Sequence, residues 1–145
     1  MEYTIQEMRP EDACEAAVLD AQIFSMPWSE HGFLSSLLSE DTLYLTVRAG
    51  GRLIGYCGLL QSFDEADITN VAVAEEYRGQ GIGCAMLTEL MQRGSARGIE
   101  RFTLEVRVSN LAARSLYRKL GFVSVGIRKN FYEKPREDAD IMWKS

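Results

Sequence analysis

Three closely spaced glycines form the segment of this sequence that is best suited to bind a phosphorylated ligand. Gly79, Gly81 and Gly83 lie in R-G-Q-G-I-G, residues 78–83, between a β-rich stretch and a helical one. A strand-to-helix turn directs backbone N–H groups and the positive end of the helix dipole at one point. Glycine also removes the Cβ atoms that would keep a phosphate away from the backbone. A diphosphate suits this chemistry, although a tight turn before a helix favours glycine even without a ligand.

Two common phosphate-binding motifs do not match these glycines. The P-loop has Lys after its last glycine, and none of the three glycines here is followed by Lys. The dinucleotide fingerprint is G-x-G-x-x-G early in a βαβ unit. This chain has G-x-G-x-G past its midpoint. The pattern that needs explanation is therefore R-x-x-G-x-G, formed by Arg78, Gly81 and Gly83.

The elements that must hold this turn alternate between strand and helix patterns. Strands are predicted over residues 2–8, 42–49, 52–60, 66–73, 101–107, 122–127 and 138–144, and helices over 10–24, 29–38, 82–97 and 109–120. Gly50 and Gly51 predict a hairpin turn, because glycine accepts positive φ at both turn positions. The resulting order, β-α-α-β-β-β-α-β-α-β-β, predicts an α/β fold with a mixed sheet between helices. With no repeat or linker, residues 1–145 are expected to form one domain.

Composition and charge narrow the classes of function. Lys+Arg number 16 and Asp+Glu 21, so the formal net charge of −5 argues against nucleic acid as the main ligand. No apolar run approaches the roughly 18 residues of a membrane span, and the first residues lack a signal-peptide pattern. Cys14, Cys57 and Cys84 are odd in number and widely spaced, which is typical of reduced thiols in the cytosol. Because His31 is the sole histidine, no metal site is expected.

Two sequence blocks resemble the GNAT superfamily of acetyl-CoA-dependent N-acetyltransferases. The first is the R-x-x-G-x-G pattern, and the second is L-E-V-R-V-S-N-L-A-A-R-S-L-Y-R-K-L-G-F at residues 104–122. The second block is similar to the S-N-x-x-A-x-x-L-Y-x-x-x-G-F pattern of many members. The resemblance implies the single-domain α/β fold of that superfamily, with a largely antiparallel sheet. It also implies acetyl-CoA as a co-substrate, without a metal.

Two further segments resemble one branch, the bacterial ribosomal-protein-alanine N-acetyltransferases of the RimI type. They are P-W-S-E at residues 27–30 and R-K-N-F-Y-E-K-P-R-E-D at residues 128–138. Phe131 departs from that branch, which has a hydroxyl-bearing aromatic there, whereas Tyr132 retains the second one. The resemblance implies acetyl transfer to an N-terminal α-amino group. The implied acceptor is the N-terminal alanine of the eighteenth protein of the small ribosomal subunit.

By position, the resemblance implies two catalytic residues and a set of cofactor-binding residues. Glu105 would be the general base and Tyr117 the general acid. The cofactor-binding residues are Val71, Ala72, Val73, Gly79, Gln80, Gly81, Ile82, Gly83, Cys84 and Asn110. Residues 71–73 would pair with the pantetheine arm, residues 79–84 would surround the pyrophosphate, and Asn110 would bind the pantetheine amides.

The chemistry of amine acetylation suits these residue types, but plainer interpretations stay open. An α-amino group has a pKa of about 8, so a carboxylate must take its proton before it can attack a thioester. A tyrosine can protonate the departing thiolate. Alternation along the strand could instead place Glu105 on a solvated face, while Tyr117 could pack its helix and Asn110 could be a plain N-cap.

We therefore expect a cytoplasmic enzyme that acetylates the N-terminus of a ribosomal protein, without direct contact with nucleic acid or a membrane. One alternative is an acetyltransferase that acts on a small amine or a lysine side chain. Another is a non-catalytic module that binds acyl-CoA. The presence of both Glu105 and Tyr117 favours an enzyme.

Overall fold

The computed structural model describes residues 2–145, which form a seven-stranded sheet and four α-helices. The strands are β1 Thr4–Glu7, β2 Thr42–Ala49, β3 Arg52–Ser62, β4 Glu65–Val73, β5 Arg101–Arg107, β6 Val123–Tyr132 and β7 Glu137–Lys144. The helices are α1 Ala13–Ile23, α2 Glu30–Leu37, α3 Ile82–Ala96 and α4 Leu111–Lys119. The predicted succession of strands and helices is confirmed.

The sheet is mixed and largely antiparallel, as expected. Its spatial order is β1-β2-β3-β4-β5-β7-β6, and only the β4–β5 pair is parallel in the described chain. The last strand, β7, lies between β5 and β6. The turn that joins β6 to β7 therefore lies close to the carboxyl end of β5.

The parallel strands β4 and β5 are joined only near their beginnings. Residues Glu65–Asp67 pair with Arg101–Thr103, and no further pairing between the two strands follows in residues 2–145. Thr69 is an extra residue in β4, because Gly58 and Leu59 of β3 pair with Asn70 and Ile68. Such a bulge bends its strand. A gap therefore opens between β4 and β5 at their carboxyl ends, where the loops to α3 and α4 begin.

Helices cover the two faces of the sheet and form two apolar clusters. On one face, α3 contributes Met86, Leu87 and Leu90, all fully buried against the central strands. On the other face, α1 and α2 pack over β2 to β4 through residues such as Leu19 and Phe33. Since both faces of β2 are covered, its residues 43–47 are buried without polar alternation. No helix in residues 2–145 is long and apolar enough to span a membrane.

The two largest differences from the predicted element boundaries are at the start of the first helix and at the end of β6. The first predicted helix starts as a single 3₁₀ turn at Pro10–Asp12, and the α-helix begins only at Ala13. Strand β6 continues to Tyr132, five residues beyond the predicted end. Residues 128–132 lack an apolar alternation because β6 is an edge strand that is exposed along most of its length. Pairing with β7, at an irregular register, is what extends the strand.

Candidate active site

The loop between β4 and α3 depends on glycine for its backbone conformation. Gly79 has φ +76° and Gly81 has φ +82°, in the left-handed region that other residues rarely adopt. Nothing lies within 4 Å of a Cβ placed on either residue, so the requirement is conformational rather than steric. Gly83 differs, since a Cβ there would lie 3.2 Å from Leu116 Cδ2. Its missing side chain allows the first turn of α3 to approach α4.

The start of α3 presents a run of free backbone donors. Its N-cap is Gly81, which has no side chain to cap the helix, whereas Ser29 caps α2 and Asn110 caps α4. The backbone N–H groups of residues 79–84 find no hydrogen-bond acceptor within the described part of the chain. Such donors, together with the helix dipole, favour an anionic ligand. Arg78 braces the loop, because its Nε donates to the carbonyl of Val73 at 3.0 Å.

The loop between β5 and α4 faces the same gap from its other side. Asn110 Oδ1 accepts from Ala113 N–H at 3.1 Å, which confirms the N-cap interpretation. Arg114 on α4 donates through Nε to buried Asp140 at 3.1 Å and through Nη1 to the carbonyl of Val108 at 2.8 Å. This ion pair fixes the beginning of α4 to β7, so Arg114 is a structural residue rather than a solvated one.

Glu105 lies on the face of the sheet opposite α3. Phe102, Leu104 and Val106 point into the core, and the alternation of β5 directs Glu105 the other way. Its side chain is 33% exposed, and Oε1 lies 3.9 Å from Nη1 of Arg128. Partial burial raises the pKa of Glu105, the negative charge of Asp67 raises it further, and Arg128 opposes both. Glu105 is thus a half-buried carboxylate that remains accessible, neither fully solvated nor part of the core.

Tyr117 combines a packed ring with a free hydroxyl. Its ring is buried and lies edge-on to Phe122, with 6.0 Å between ring centroids. No hydrogen bond within residues 2–145 involves the hydroxyl, and because no buried side-chain oxygen of these residues lacks a partner, the hydroxyl oxygen is accessible rather than enclosed in the core. Burial raises the pKa of Tyr117, and proximity to Tyr132 and Cys57 raises it further. The hydroxyl therefore stays protonated at neutral pH and can donate.

Tyr132 brings the β6–β7 hairpin into the same neighbourhood. Burial raises the pKa of Tyr132 to about 12, and the negative charge of Glu105 contributes. Tyr132 in turn contributes to the raised pKa of Tyr117, so the hairpin is part of the electrostatic environment of this tyrosine. The ring of Phe131 is edge-on to that of Tyr132, at 5.0 Å, and is partly exposed.

The buried carboxylate of Asp20 fixes the loop between α1 and α2, on the face of the sheet that these two helices cover. Asp20 is 2% exposed, and it accepts hydrogen bonds from the Tyr56 hydroxyl and, at 2.8 Å, from Trp28 N–H. Burial raises the pKa of Asp20, and the two hydrogen bonds oppose that rise. The Trp28 ring packs against Phe33, with 5.4 Å between centroids. The sequence did not predict this role of Asp20, because its burial and its Tyr56 partner, 36 residues later, are set by the packing of α1 on the sheet.

Comparison with known proteins places these features in one family. The Acetyltransferase (GNAT) family model matches residues 6–122. An Escherichia coli (strain K12) protein named ribosomal protein bS18-alanine N-acetyltransferase is 36% identical over 141 residues, which cover 96% of this chain and 95% of that protein. A Mycobacterium tuberculosis protein named N-alpha-acetyltransferase RimI is 37% identical over 145 residues, covering 96% of this chain and 90% of that one.

A solved structure agrees with these sequence matches. The crystal structure of the ribosomal-protein-S18-alanine N-acetyltransferase from Escherichia coli superimposes with a TM-score of 0.91 and 35% identity, over 99% of this chain and 93% of that chain. The predicted resemblance is thereby confirmed along almost the whole length. This chain, with free backbone N–H groups before α3 and a gap between β4 and β5, therefore belongs to the GNAT family of acetyltransferases.

Proposed function

We propose that this chain transfers the acetyl group of acetyl-CoA to the N-terminal alanine of ribosomal protein bS18. The observation that carries the proposal is the identity of 36% to a protein named for that reaction, over 96% of this chain. Residues 1–145 would act as one N-acetyltransferase domain, in the cytoplasm.

The cofactor-binding residues of this proposal lie around the gap between β4 and β5. Acetyl-CoA supplies an activated acetyl thioester when it is bound. The free N–H groups of residues 79–84 suit its pyrophosphate. Residues 71–73 of β4 lie where β5 no longer pairs, so this edge of the strand can bind the amides of the pantetheine arm. Asn110 uses Oδ1 as the cap of α4, which leaves its Nδ2 as the donor for those amides.

The catalytic roles follow from the environments of two side chains. Glu105 would accept a proton from the incoming ammonium group, and a carboxylate with a raised pKa is a stronger base than a solvated one. Tyr117 would donate its hydroxyl proton to the sulfur that leaves, since the hydroxyl oxygen is accessible and its proton is not donated to any residue of the described chain. A backbone N–H of residues 71–73 would stabilise the carbonyl oxygen during transfer.

The acceptor would approach the face that bears Glu105. The opposite face is covered by α3 and α4, whereas α1 and α2 cover this face only over β2 to β4. The uncovered part lies between the α1–α2 loop with Trp28 and the β6–β7 hairpin with Tyr132. Peptide recognition by these two segments would give the enzyme its choice of N-terminus.

A pair of matched peptides tests the proposed function. Both peptides contain the same internal lysine and begin with alanine, but the α-amine is free in one and blocked in the other. We expect acetylation of the first peptide and no acetylation of the second. Glu105→Gln serves as the control that the measured transfer depends on the proposed site. Equal rates on both peptides would show a side-chain acetyltransferase, and binding of acetyl-CoA without turnover on any amine would show a non-catalytic module.

A further inference from the structure

Arg107, the last residue of β5, contacts the β6–β7 hairpin at four points. Its Nη1 donates to the carbonyl of Pro135 at 2.9 Å and to Glu137 Oε1 at 3.2 Å. Its Nη2 donates to the carbonyl of Glu133 at 3.0 Å. The guanidinium also lies 4.5 Å from the centroid of the Tyr132 ring. A single side chain of β5 therefore binds both the backbone of the turn and the aromatic residue before it.

The β6–β7 turn needs support from outside itself. Lys134 in the turn adopts φ +51°, in the left-handed region that disfavours lysine, while Asn130, just before the turn in β6, adopts φ +55°, which asparagine tolerates better. Asn130 N–H bonds to Asp138 Oδ1 at 2.9 Å, but the carbonyls of Glu133 and Pro135 accept from Arg107. The conformation of the turn is thus held from β5.

The position of Arg107 relative to Glu105 gives these contacts a functional meaning. The two residues are separated by one position on β5, so their side chains lie on the same face of the sheet. Holding Tyr132 beside Arg107 therefore also holds it beside Glu105. The side chain of Arg107 hydrogen-bonds only to residues of the β6–β7 hairpin, whereas its backbone carbonyl, which a substitution keeps, accepts from Asn110 N–H at 3.0 Å. Its partner Glu137 does reach the loop before α4, since Glu137 Oε2 accepts from Ser109 N–H at 2.7 Å.

We propose that Arg107 is a positioning residue for the acceptor, because it holds the β6–β7 turn and the Tyr132 ring as one wall of the approach to Glu105. The inference rests on the proposed function, in which the acceptor enters from this face. A guanidinium is suited to the task because its two arms reach two carbonyl oxygens at once. Lysine has the charge but not the fork.

The test compares substitutions of two arginines on one face of one strand. Arg107→Met and Arg107→Lys remove the fork, and Arg101→Met is the matched control. Arg101 also pairs with a carboxylate, Glu65 at 3.1 Å, and also lies 4.5 Å from an aromatic centroid, that of Trp143, but at the far end of β5. The readouts are the KM of an alanine-ended peptide, the Kd of acetyl-CoA, and amide hydrogen exchange over residues 130–137.

We expect Arg107→Met to raise the acceptor KM by about 10-fold or more, with the Kd of acetyl-CoA unchanged within about 2-fold. Arg107→Lys should raise the acceptor KM by a smaller factor, and exchange over residues 130–137 should accelerate in both variants. Arg101→Met should leave the acceptor KM and this exchange at parental values. A structural role alone would not separate the acceptor KM from acetyl-CoA binding.

Three results would overturn the proposal. The first is an equal change of acceptor KM in the Arg107→Met and Arg101→Met variants. The second is a loss of acetyl-CoA binding that matches the loss of acceptor binding. The third, which holds even if Arg107→Met does not fold, is parental acceptor KM and parental exchange in Arg107→Lys. Failure of the proposed function is a distinct result, since the parent enzyme would then not acetylate the peptide, and the exchange data would still show whether Arg107 holds the turn.

Discussion

Glu105→Gln keeps the size of the side chain and removes the carboxylate that we propose as the proton acceptor. We expect the rate to fall by about 10²–10⁴-fold at neutral pH. In the parent, kcat/KM should rise as pH increases through the pKa of Glu105, which burial and Asp67 hold above the usual carboxyl range. In the variant, the rate should recover partly at higher pH as more of the amine becomes neutral by itself.

A series of pH–rate measurements, with acetyl-CoA affinity determined in parallel, checks this expectation. Asp67→Asn provides a matched comparison, because removal of its charge should shift the acid limb of the profile to lower pH. Near-parental rates of Glu105→Gln at neutral pH would place the base elsewhere.

Tyr117→Phe keeps the packed ring and removes only the hydroxyl. Since no hydrogen bond within residues 2–145 depends on that hydroxyl and its oxygen is not enclosed in the core, we expect the free energy of unfolding to change by less than about 1 kcal/mol. Turnover should fall more than acetyl-CoA binding, and raising the pH should not restore it. Urea unfolding beside steady-state kinetics makes the comparison, and a variant that unfolds would show that Tyr117 serves packing.

The loop before α3 can be tested by two substitutions at one position. Asp and Asn at Gly83 both add a side chain near Leu116 and differ mainly in charge. We expect Gly83→Asp to weaken acetyl-CoA binding by at least about 10-fold relative to Gly83→Asn, because a negative charge in the first turn of α3 would repel the pyrophosphate proposed to bind at the start of that helix. Calorimetry measures both affinities. Equal affinities would show that the pyrophosphate does not bind at this loop. Gly81→Val should abolish binding by a different route, since a β-branched residue is strained at φ +82°.

The hydrogen bonds that Asp20 accepts from Trp28 and Tyr56 should contribute to the free energy of unfolding. Tyr56→Phe leaves the buried Asp20 carboxylate with the Trp28 N–H as its remaining hydrogen bond, and we expect a loss of about 1–3 kcal/mol. The folded-state pKa of Asp20 is raised, so its favourable contribution is present below the unfolded pKa and is lost as pH rises. Removal of the Tyr56 hydroxyl raises that pKa further, so the loss should be larger at neutral pH than at acid pH.

Urea unfolding at two pH values measures this effect. Tyr44→Phe is the control, because the Tyr44 hydroxyl bonds to Ser36 and Asn70, which do not titrate. Its loss of stability should not change with pH. A loss for Tyr56→Phe that is equal at both pH values would mean that the charge of Asp20 is not stabilised by Tyr56.

The charge of the whole chain should affect the encounter with the acceptor. A net charge of −5 attracts a cationic peptide over distances that salt screens. We expect kcat/KM to be higher for alanine peptides with basic residues soon after the terminus, and this advantage to shrink as salt increases. Peptides matched in length and first residue, assayed across a salt series, decide the matter. An advantage that does not depend on salt would indicate specific contacts instead.

The parts of the fold that could be predicted depend on local chemistry. Gly50 and Gly51 adopt positive φ in the β2–β3 turn, and Ser29 and Asn110 cap their helices, because each of these effects requires only neighbouring residues. The positions of Glu105 and Tyr117 followed from a resemblance, and their environments required the packed structure.

The parts that could not be predicted depend on contacts between distant positions. Asp20 and Tyr56 are 36 residues apart, and Arg107 reaches a turn 26 to 30 residues later. The structural role of Arg114 also depends on Asp140, a buried partner 26 residues later in the chain. The extension of β6 likewise depends on β7, which follows it in the chain.

The short pairing between β4 and β5 gives this sheet four strand edges instead of two. Besides β1 and β6, the carboxyl halves of β4 and β5 present backbone groups without a strand partner in the described chain. Unpaired edges are where foreign strands add and aggregation begins. A molecule whose amides lie along β4 therefore also shields an inner edge from other chains. A ligand bound in the gap between β4 and β5 should therefore also make the protein more resistant to self-association through this edge.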